Sequence, residues 1–285
     1  MATHRIVLIT GTSSGIGLAA AVAAAGADFR VVATMRDTGR AGNLLRAAEK
    51  AGVAGRVEVE RLDVTEPTSV ANCLDIVLDR YGRLDAVVNN AGAGFLGTIE
   101  QDGMAPVRAA MEVNYFGVVE LTRAAMPHLR ASGGRVVTVT SVGGVVGQPF
   151  NEAYCAAKFA VEGFMESLAP VAATVGVAVT VVEPGAVSSE FVGNQNLDVP
   201  ALITAAGPYG PALRAYVDRA RQAFDGAQTP EEAAAPIVAA LTAERPPLRM
   251  QTSQAARAFT GVKLADQDGS AVLGMTRGWI GAANA

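Results

Sequence analysis

Cysteine, histidine and clustered positive charge are scarce in this 285-residue chain, and each shortage argues against a class of function. Cys73 and Cys155 stand far apart with neither CxxC nor metal-ligand spacing, which predicts two buried thiols. His4 and His128 are isolated, which argues against a histidine-based metal centre. Lysine and arginine form no cluster and the net charge is −4, so no footprint for nucleic acid or an anionic membrane is expected. No apolar run reaches the roughly 18 residues of a spanning helix. The first residues pass almost at once into an apolar segment without a leader-like pattern, so a cytoplasmic location is expected. Aromatic residues are few, yet half of the chain is apolar, enough for one large domain over residues 1–285 with a substantial core.

What the chain does contain is an alternation of short β-branched runs and longer alanine-rich stretches. That pattern predicts a parallel sheet covered on both faces. Strands are expected at Arg5–Thr10, Arg30–Met35, Val57–Leu62, Ala86–Asn89, Arg135–Thr140, Val177–Val182 and Leu248–Gln251. Helices are expected near Ile16–Ala25, Gly39–Ala51, Pro67–Tyr81, Ala105–Arg130, Ala153–Val175 and Pro230–Ala243. Right-handed crossovers then favour a Rossmann-type, doubly wound α/β fold with a seven-stranded parallel sheet. Only Val187–Gln228 breaks the alternation, with glycines and prolines interrupting its apolar content, and it is expected to form a lid over a pocket.

Two stretches carry candidate chemistry. The first strand runs into Thr10-Gly11-Thr12-Ser13-Ser14-Gly15-Ile16-Gly17, where glycines let a pyrophosphate approach and the next helix offers its N-terminus. The spacing is GxxxGxG rather than GxGxxG. The second predicted strand ends at Met35-Arg36 without the acid that grips an NAD ribose, and Arg36 could hold a 2′-phosphate instead. The other stretch, from Val136 to Gly163, places Ser141 at a strand end and Tyr154 four residues before Lys158. At that helical spacing a phenol and an ammonium share a face. Lowering a tyrosine pKa from about 10 to about 7 requires roughly 4 kcal/mol of preference for the phenolate, and a neighbouring cation has the right sign. Taken alone, the same pair could be an ordinary amphipathic one.

TGTSSGIG, Leu62-Asp63-Val64, Asn89-Asn90-Ala91-Gly92, Asn114, Ser141, Tyr154-xxx-Lys158 and Pro184-Gly185-Ala186-Val187 follow one another in the order seen in short-chain dehydrogenase/reductases, and the chain resembles that family. The segments around Ser141, Pro149-Phe150-Asn151 and Tyr154 resemble the branch containing estradiol 17-beta-dehydrogenase and retinol dehydrogenase. The resemblance implies that Tyr154 is the acid/base and that Lys158 tunes it and holds the nicotinamide ribose. Ser141 would bind the substrate oxygen, and Asn114, through its side chain or a local helix distortion, would hold a relay water, or it would make a helix-interior hydrogen bond. It further implies that Gly11, Ser13, Ser14, Gly15, Ile16 and Gly17 surround the phosphates and ribose, with Ser14 and Arg36 at the 2′-phosphate. Asp63 would accept from the adenine amino group or cap the following helix, and Val64 would pack on the ring. Asn90, Ala91 and Gly92 would border the ribose, while Pro184, Gly185, Val187 and Ser189 would position the carboxamide.

The expected function is therefore hydride transfer between NADP(H) and a small-molecule substrate, a bulky apolar ketone or its secondary alcohol, without a metal. A nucleotide-sensing protein and an epimerase or dehydratase on the same fold are the alternatives. The helix Ala153–Val175 has apolar residues on more than one face, and the resemblance implies that it pairs with a second copy in a homodimer or homotetramer. The lid (187–228) and tail (252–285) contribute Phe191, Leu197, Leu202, Ile203, Tyr209, Leu213, Tyr216, Val217, Phe224 and Phe259, a lining suited to a bulky apolar ketone. Places that grip the steroid phenol in the estradiol enzyme fall near Pro211 and Gly278, which lack a side-chain hydrogen bond, so a permissive pocket is expected.

Overall fold

Alternating β-branched residues build seven strands in the computed structural model, which describes residues 4–189, 198–224 and 226–281. They are β1 Arg5–Thr10, β2 Phe29–Met35, β3 Val57–Arg61, β4 Ala86–Asn89, β5 Arg135–Val139, β6 Ala178–Glu183 and β7 Arg249–Gln251. All pair in parallel, in the order β3-β2-β1-β4-β5-β6-β7. The order reverses beside β1, where β1 and β4 run side by side with Val7 opposite Ala86. Ligands of open α/β sheets bind at such a switch point, beyond the carboxyl ends of the strands.

The helices are α1 Gly15–Gly26, α2 Gly42–Lys50, α3 Pro67–Tyr81, α4 Ile99–Asp102, α5 Met104–Met111, α6 Gly117–Ser132 and α7 Glu152–Ala173, followed by α8 Val199–Ala205, α9 Gly210–Phe224, α10 Pro230–Thr242, α11 Gln254–Ala265 and α12 Ser270–Trp279. The period of two along β1 sends Val7 and Ile9 toward α1, α2 and α10, and Ile6 and Leu8 toward α3, α6 and α7. Ala20, Ala21, Ala24 and Ala25 of α1 are all buried, small residues that suit its close packing on α10. Local signals set the ends. Pro67 opens α3 and Gly82, at φ +69°, closes it. Thr229 and Glu232 form a reciprocal capping box at the start of α10.

Two expectations need correction. The single helix over Ala105–Arg130 is α5 and α6 joined by a π-helical turn at Glu112–Phe116. There the Asn114 side chain donates to the Ala110 carbonyl, four residues back, at 3.0 Å. The segment Gly39–Ala51 divides into a 3-10 turn at Thr38–Arg40 and α2. The segment 187–228 contains α8 and α9, and its two ends meet where Val187 bridges Gln228 and the Ser188 N–H donates to the Gln228 carbonyl at 2.8 Å. Phe191 and Leu197 lie outside the described residues. Leu213, Val217 and Ala206 instead form a buried cluster with Phe150. The tail holds α11 and α12, where Phe259 stacks on Trp279 and Arg219 of α9 lies over the same indole. Among the described residues no helix is long and apolar enough to cross a membrane.

Candidate active site

The turn after β1 is built to leave its concave side open. Gly11 and Gly15 sit at φ +69° and +58°, where an L side chain is strained. A Cβ at Gly11 would stand 2.8 Å from Ala91 Cα, and one at Gly17 would collide with the Asn90 amide and the Gly11 carbonyl. The Asn90 Nδ2 donates to the carbonyls of Thr10 (2.8 Å) and Gly11 (3.1 Å). The Thr10 hydroxyl accepts from the N–H groups of Asn90 and Ala91, both at 2.9 Å. The turn after β1 and the one after β4 are thereby locked together. Ser14 precedes α1 in an extended conformation without a side-chain cap, and no acid occupies the first turn. That helix end suits an anion. Ser13 and Ile16 are half-buried around it, and Ser189 lies across Gly15 from the far side, 3.2 Å from a Cβ placed there.

At the end of β2, Met35 is buried and Arg36 exposed. Asp63 makes a local turn in which its Oδ1 accepts from the Thr65 N–H (2.9 Å) and hydroxyl (2.7 Å). Its backbone N–H donates to Ser69 Oγ at 3.0 Å. Val64 is buried against Gly117 of α6. Pro184 and Gly185 follow β6, and the Pro184 carbonyl accepts from the Val142 N–H at 2.9 Å, joining this loop to the one after β5.

The structure brings the four expected catalytic side chains together. Ser141 ends β5 and its Oγ accepts from the Gly143 N–H at 2.9 Å. Tyr154 is hydrogen-bonded to Ser141, and the Lys158 ammonium lies 5.9 Å from the tyrosine ring centroid. Lys158 is buried and donates to the Val139 carbonyl at 3.1 Å. A Cβ on Gly92 would be 2.9 Å from Asn114 Oδ1 and 3.6 Å from Lys158 Nζ, so this glycine lets the π-helical turn approach the lysine. Asn114 is fully buried and also pairs with Ala93, accepting from its N–H (3.2 Å) and donating to its carbonyl (2.8 Å).

Burial dominates the electrostatics. It pushes the Tyr154 phenol up to about 12, with the Ser141 hydrogen bond acting in the opposite direction. It pushes the Lys158 ammonium down to about 8, with Glu162 opposing. The expected fall of the phenol toward 7 is therefore absent from the protein alone, because desolvation outweighs the hydrogen bond from its neighbour Ser141. A phenol held this high is a proton donor at neutral pH.

Gln148 carried no sequence signal, and the contact between Asn151 and Tyr216 was not expected. A Cβ at Gly143 would lie 3.3 Å from Ser141 Oγ, from the Tyr154 ring and from the Gln148 side-chain nitrogen alike, so Gln148 shares the catalytic volume. Asn151 Nδ2 donates to the Tyr216 hydroxyl of α9 at 2.8 Å. Tyr216 also packs against Phe150 in the buried cluster of this region. A groove of about 400 Å³ beside Gly147, Gln148, Glu152 and Phe159 includes none of the four catalytic candidates, so the chemistry is placed in the cleft instead. Cys73 and Cys155 are buried thiols.

The short chain dehydrogenase family profile matches residues 5–200. Retinol dehydrogenase 8 of Bos taurus is 38% identical over 276 residues, covering 93% of this chain and 87% of that protein. The 17-beta-hydroxysteroid dehydrogenase type 1 of Homo sapiens is 39% identical over 275 residues, covering 94% and 83%. The structure of a short-chain dehydrogenase from Streptomyces avermitilis superposes with a TM-score of 0.76 at 33% identity, covering 98% of this chain and 99% of that one. With the seven-stranded sheet and the ordered motifs, these likenesses place the chain in the short-chain dehydrogenase/reductase family, as an oxidoreductase of the kind that uses nicotinamide cofactors.

Proposed function

We propose that this oxidoreductase interconverts a bulky apolar ketone and its secondary alcohol with NADP(H), using Tyr154 as the acid/base. The observation that carries the reading is the hydrogen-bonded pair of Ser141 and Tyr154 in front of the buried Lys158 ammonium. When bound, the nicotinamide supplies the hydride in reduction and takes it in oxidation. In reduction the Tyr154 hydroxyl gives its proton to the carbonyl oxygen as negative charge gathers there. Ser141, whose oxygen already accepts from Gly143, donates a hydrogen bond to the same oxygen and keeps its proton. Lys158 holds positive charge behind the phenol and stabilises the phenolate left after transfer. Asn114, fixed between Ala93 and Ala110, keeps the π-helical turn against Lys158.

The glycine turn and the uncapped start of α1 would hold the pyrophosphate, and Ser14 with the exposed Arg36 would take the 2′-phosphate. The Asp63 oxygen not fully engaged by Thr65 would face the adenine. Asn90, Ala91 and Gly92 would border the ribose, and Pro184, Gly185, Val187 and Ser189 would position the carboxamide. The names of the relatives point to retinoid- or steroid-like substrates. Part of the lid's apolar content is its own core, which leaves the cleft with a mixed wall including Gln148, Asn151 and Tyr216. Exposed Phe116, Phe159 and Val171 on the outer faces near α6 and α7 would pair with a second copy. The reading is tested by NADPH consumption across apolar ketones and small polar ones. Oxidation of NADPH with bulky apolar ketones supports it; nucleotide binding without turnover on any carbonyl overturns it.

A further inference from the structure

Two glutamates are buried near one another in the fold, one of them a helical turn from Lys158 on the side away from Tyr154. Glu162 lies one helical turn beyond Lys158 on the same face of α7, and Glu183 ends β6; they are 4% and 1% exposed. The Glu162 Oε1 accepts from the Thr140 hydroxyl at 2.5 Å. Its Oε2 has no hydrogen bond among the described residues and lies 3.7 Å from Arg249 Nη2. Arg249, on β7, reaches outward to Glu166, exposed on the same face of α7, at 2.8 Å. Glu183 is half satisfied, since its Oε2 accepts from Gln251 Nε2 at 2.9 Å while Oε1 has no hydrogen bond among the described residues. Burying an ionisable carboxyl is costly unless a charge or hydrogen bond offsets it. Here two lie close enough for one to oppose the other's charge, and the first is one turn from the proposed catalytic lysine.

We propose that Glu162 is a positioning residue that keeps Lys158 in its ammonium form, while Thr140, Arg249 and Glu183 set how much negative charge Glu162 carries. The inference rests on the reading of Lys158 as the charge behind Tyr154. An ammonium enclosed in protein loses its hydration and tends toward the neutral amine. Among the described residues it donates to the uncharged Val139 carbonyl, and a carboxylate on the next turn is the charged group that favours the cation. The groups facing the pair are Tyr154 and Glu166 on α7, Glu183 on β6, Arg249 on β7, and the neutral Thr140, Gln251 and Asn114. Thr140 and Arg249 favour the Glu162 anion, whereas Glu183 opposes it. Burial holds the Glu162 carboxyl up at about 7 and the Lys158 ammonium down at about 8, so both change charge close to neutrality.

The chain has only three lysines, Lys50, Lys158 and Lys263, so the ammonium can be followed directly. Protein carrying ¹³C-labelled lysine is titrated by NMR, with the Lys158 resonance assigned by its loss in Lys158→Arg. The wild-type midpoint is expected at about 8, and Glu162→Gln should lower it by about one pH unit or more. Thr140→Val, which removes a donor and keeps the shape, should lower it by less, because Glu162 then ionises less readily. Exposed Glu166→Gln should leave it nearly unchanged. An unaltered midpoint in both Glu162→Gln and Thr140→Val overturns the inference; if Glu162→Gln does not fold, the threonine variant decides alone. Because this readout needs no turnover, it stands apart from the reaction itself. Full activity in Tyr154→Phe would defeat the proposed chemistry while leaving the lysine titration intact.

Discussion

The Lys158 ammonium lies 5.9 Å from the centroid of the Tyr154 ring, one turn further along the same helix. The cation thus stands beside the phenol ring on the same helix face. Tyr154 is also hydrogen-bonded to Ser141. In the proposed chemistry, hydrogen bonding and charge support for Tyr154 are divided between Ser141 and Lys158, which makes their removal separable by experiment.

Removing Arg36 tests cofactor choice. Losing a charge-assisted hydrogen bond costs roughly 1.5 to 3 kcal/mol, so Arg36→Ala should weaken NADPH by about tenfold or more and leave NADH nearly unchanged. Fluorescence titration with both nucleotides measures this. Equal affinity of the wild-type protein for the two would contradict the assignment of Arg36.

Gly17→Ala tests the lock between the two turns. The new methyl would collide with the Asn90 amide and the Gly11 carbonyl, and relieving such overpacking commonly costs about 1 to 3 kcal/mol. Thermal unfolding should shift down and nucleotide affinity should fall together. A variant with wild-type affinity would show that the turn has slack.

Most of the sheet was legible because the strands are β-branched runs bounded by turn residues, and Arg5–Thr10 and Ala86–Asn89 match their expected bounds. The lid helices were hidden by the residues that join them. Gly207, at φ +53°, and Pro208 shape the turn between α8 and α9, and Gly210 lets the Ile203 carbonyl approach. These residues are joints between helices, although in sequence they look like irregular chain. A helix distortion at Asn114 was implied by the resemblance, but the π-helical turn that breaks the single expected helix over Ala105–Arg130 left no mark in the periodicity. Glu162 and Glu183 interrupt apolar runs as surface charges commonly do, and only the packing of β5, β6 and α7 buries them side by side. The four catalytic candidates were readable from motif order, whereas Gln148 and the Asn151–Tyr216 contact arise from loop geometry.

The exposed apolar face tests assembly. Phe116, Phe159 and Val171 are 49%, 39% and 64% exposed, and covering them with a second copy should give a dimer or tetramer in light scattering at micromolar concentration. Phe159→Glu should shift the mass toward the monomer. A monomer mass for the wild-type protein would reject the pairing.

Stability against pH follows from the buried pair. Between pH 4.5 and about 7 the native state keeps a proton on Glu162 that the unfolded chain has lost, so this group's stabilising contribution falls as pH rises through that window. Between about 8 and 10.5 the unfolded chain keeps a proton on Lys158 that the native state has lost, so that group's contribution rises again. Glu162→Gln should flatten the first limb, by roughly 1 to 3 kcal/mol. Urea unfolding at pH 5, 7 and 9 would reveal the change, and an unchanged slope from 5 to 7 would contradict it.

The most direct test is single-turnover oxidation of NADPH with a bulky apolar ketone, in the wild-type protein and in Tyr154→Phe, with nucleotide affinity measured alongside. The account predicts that the phenylalanine variant binds NADPH nearly as tightly as wild type and loses about 10²-fold or more of the rate, while Lys158→Ala loses both rate and affinity. A Tyr154→Phe variant that still oxidises NADPH at close to the wild-type rate would mean that another group delivers the proton.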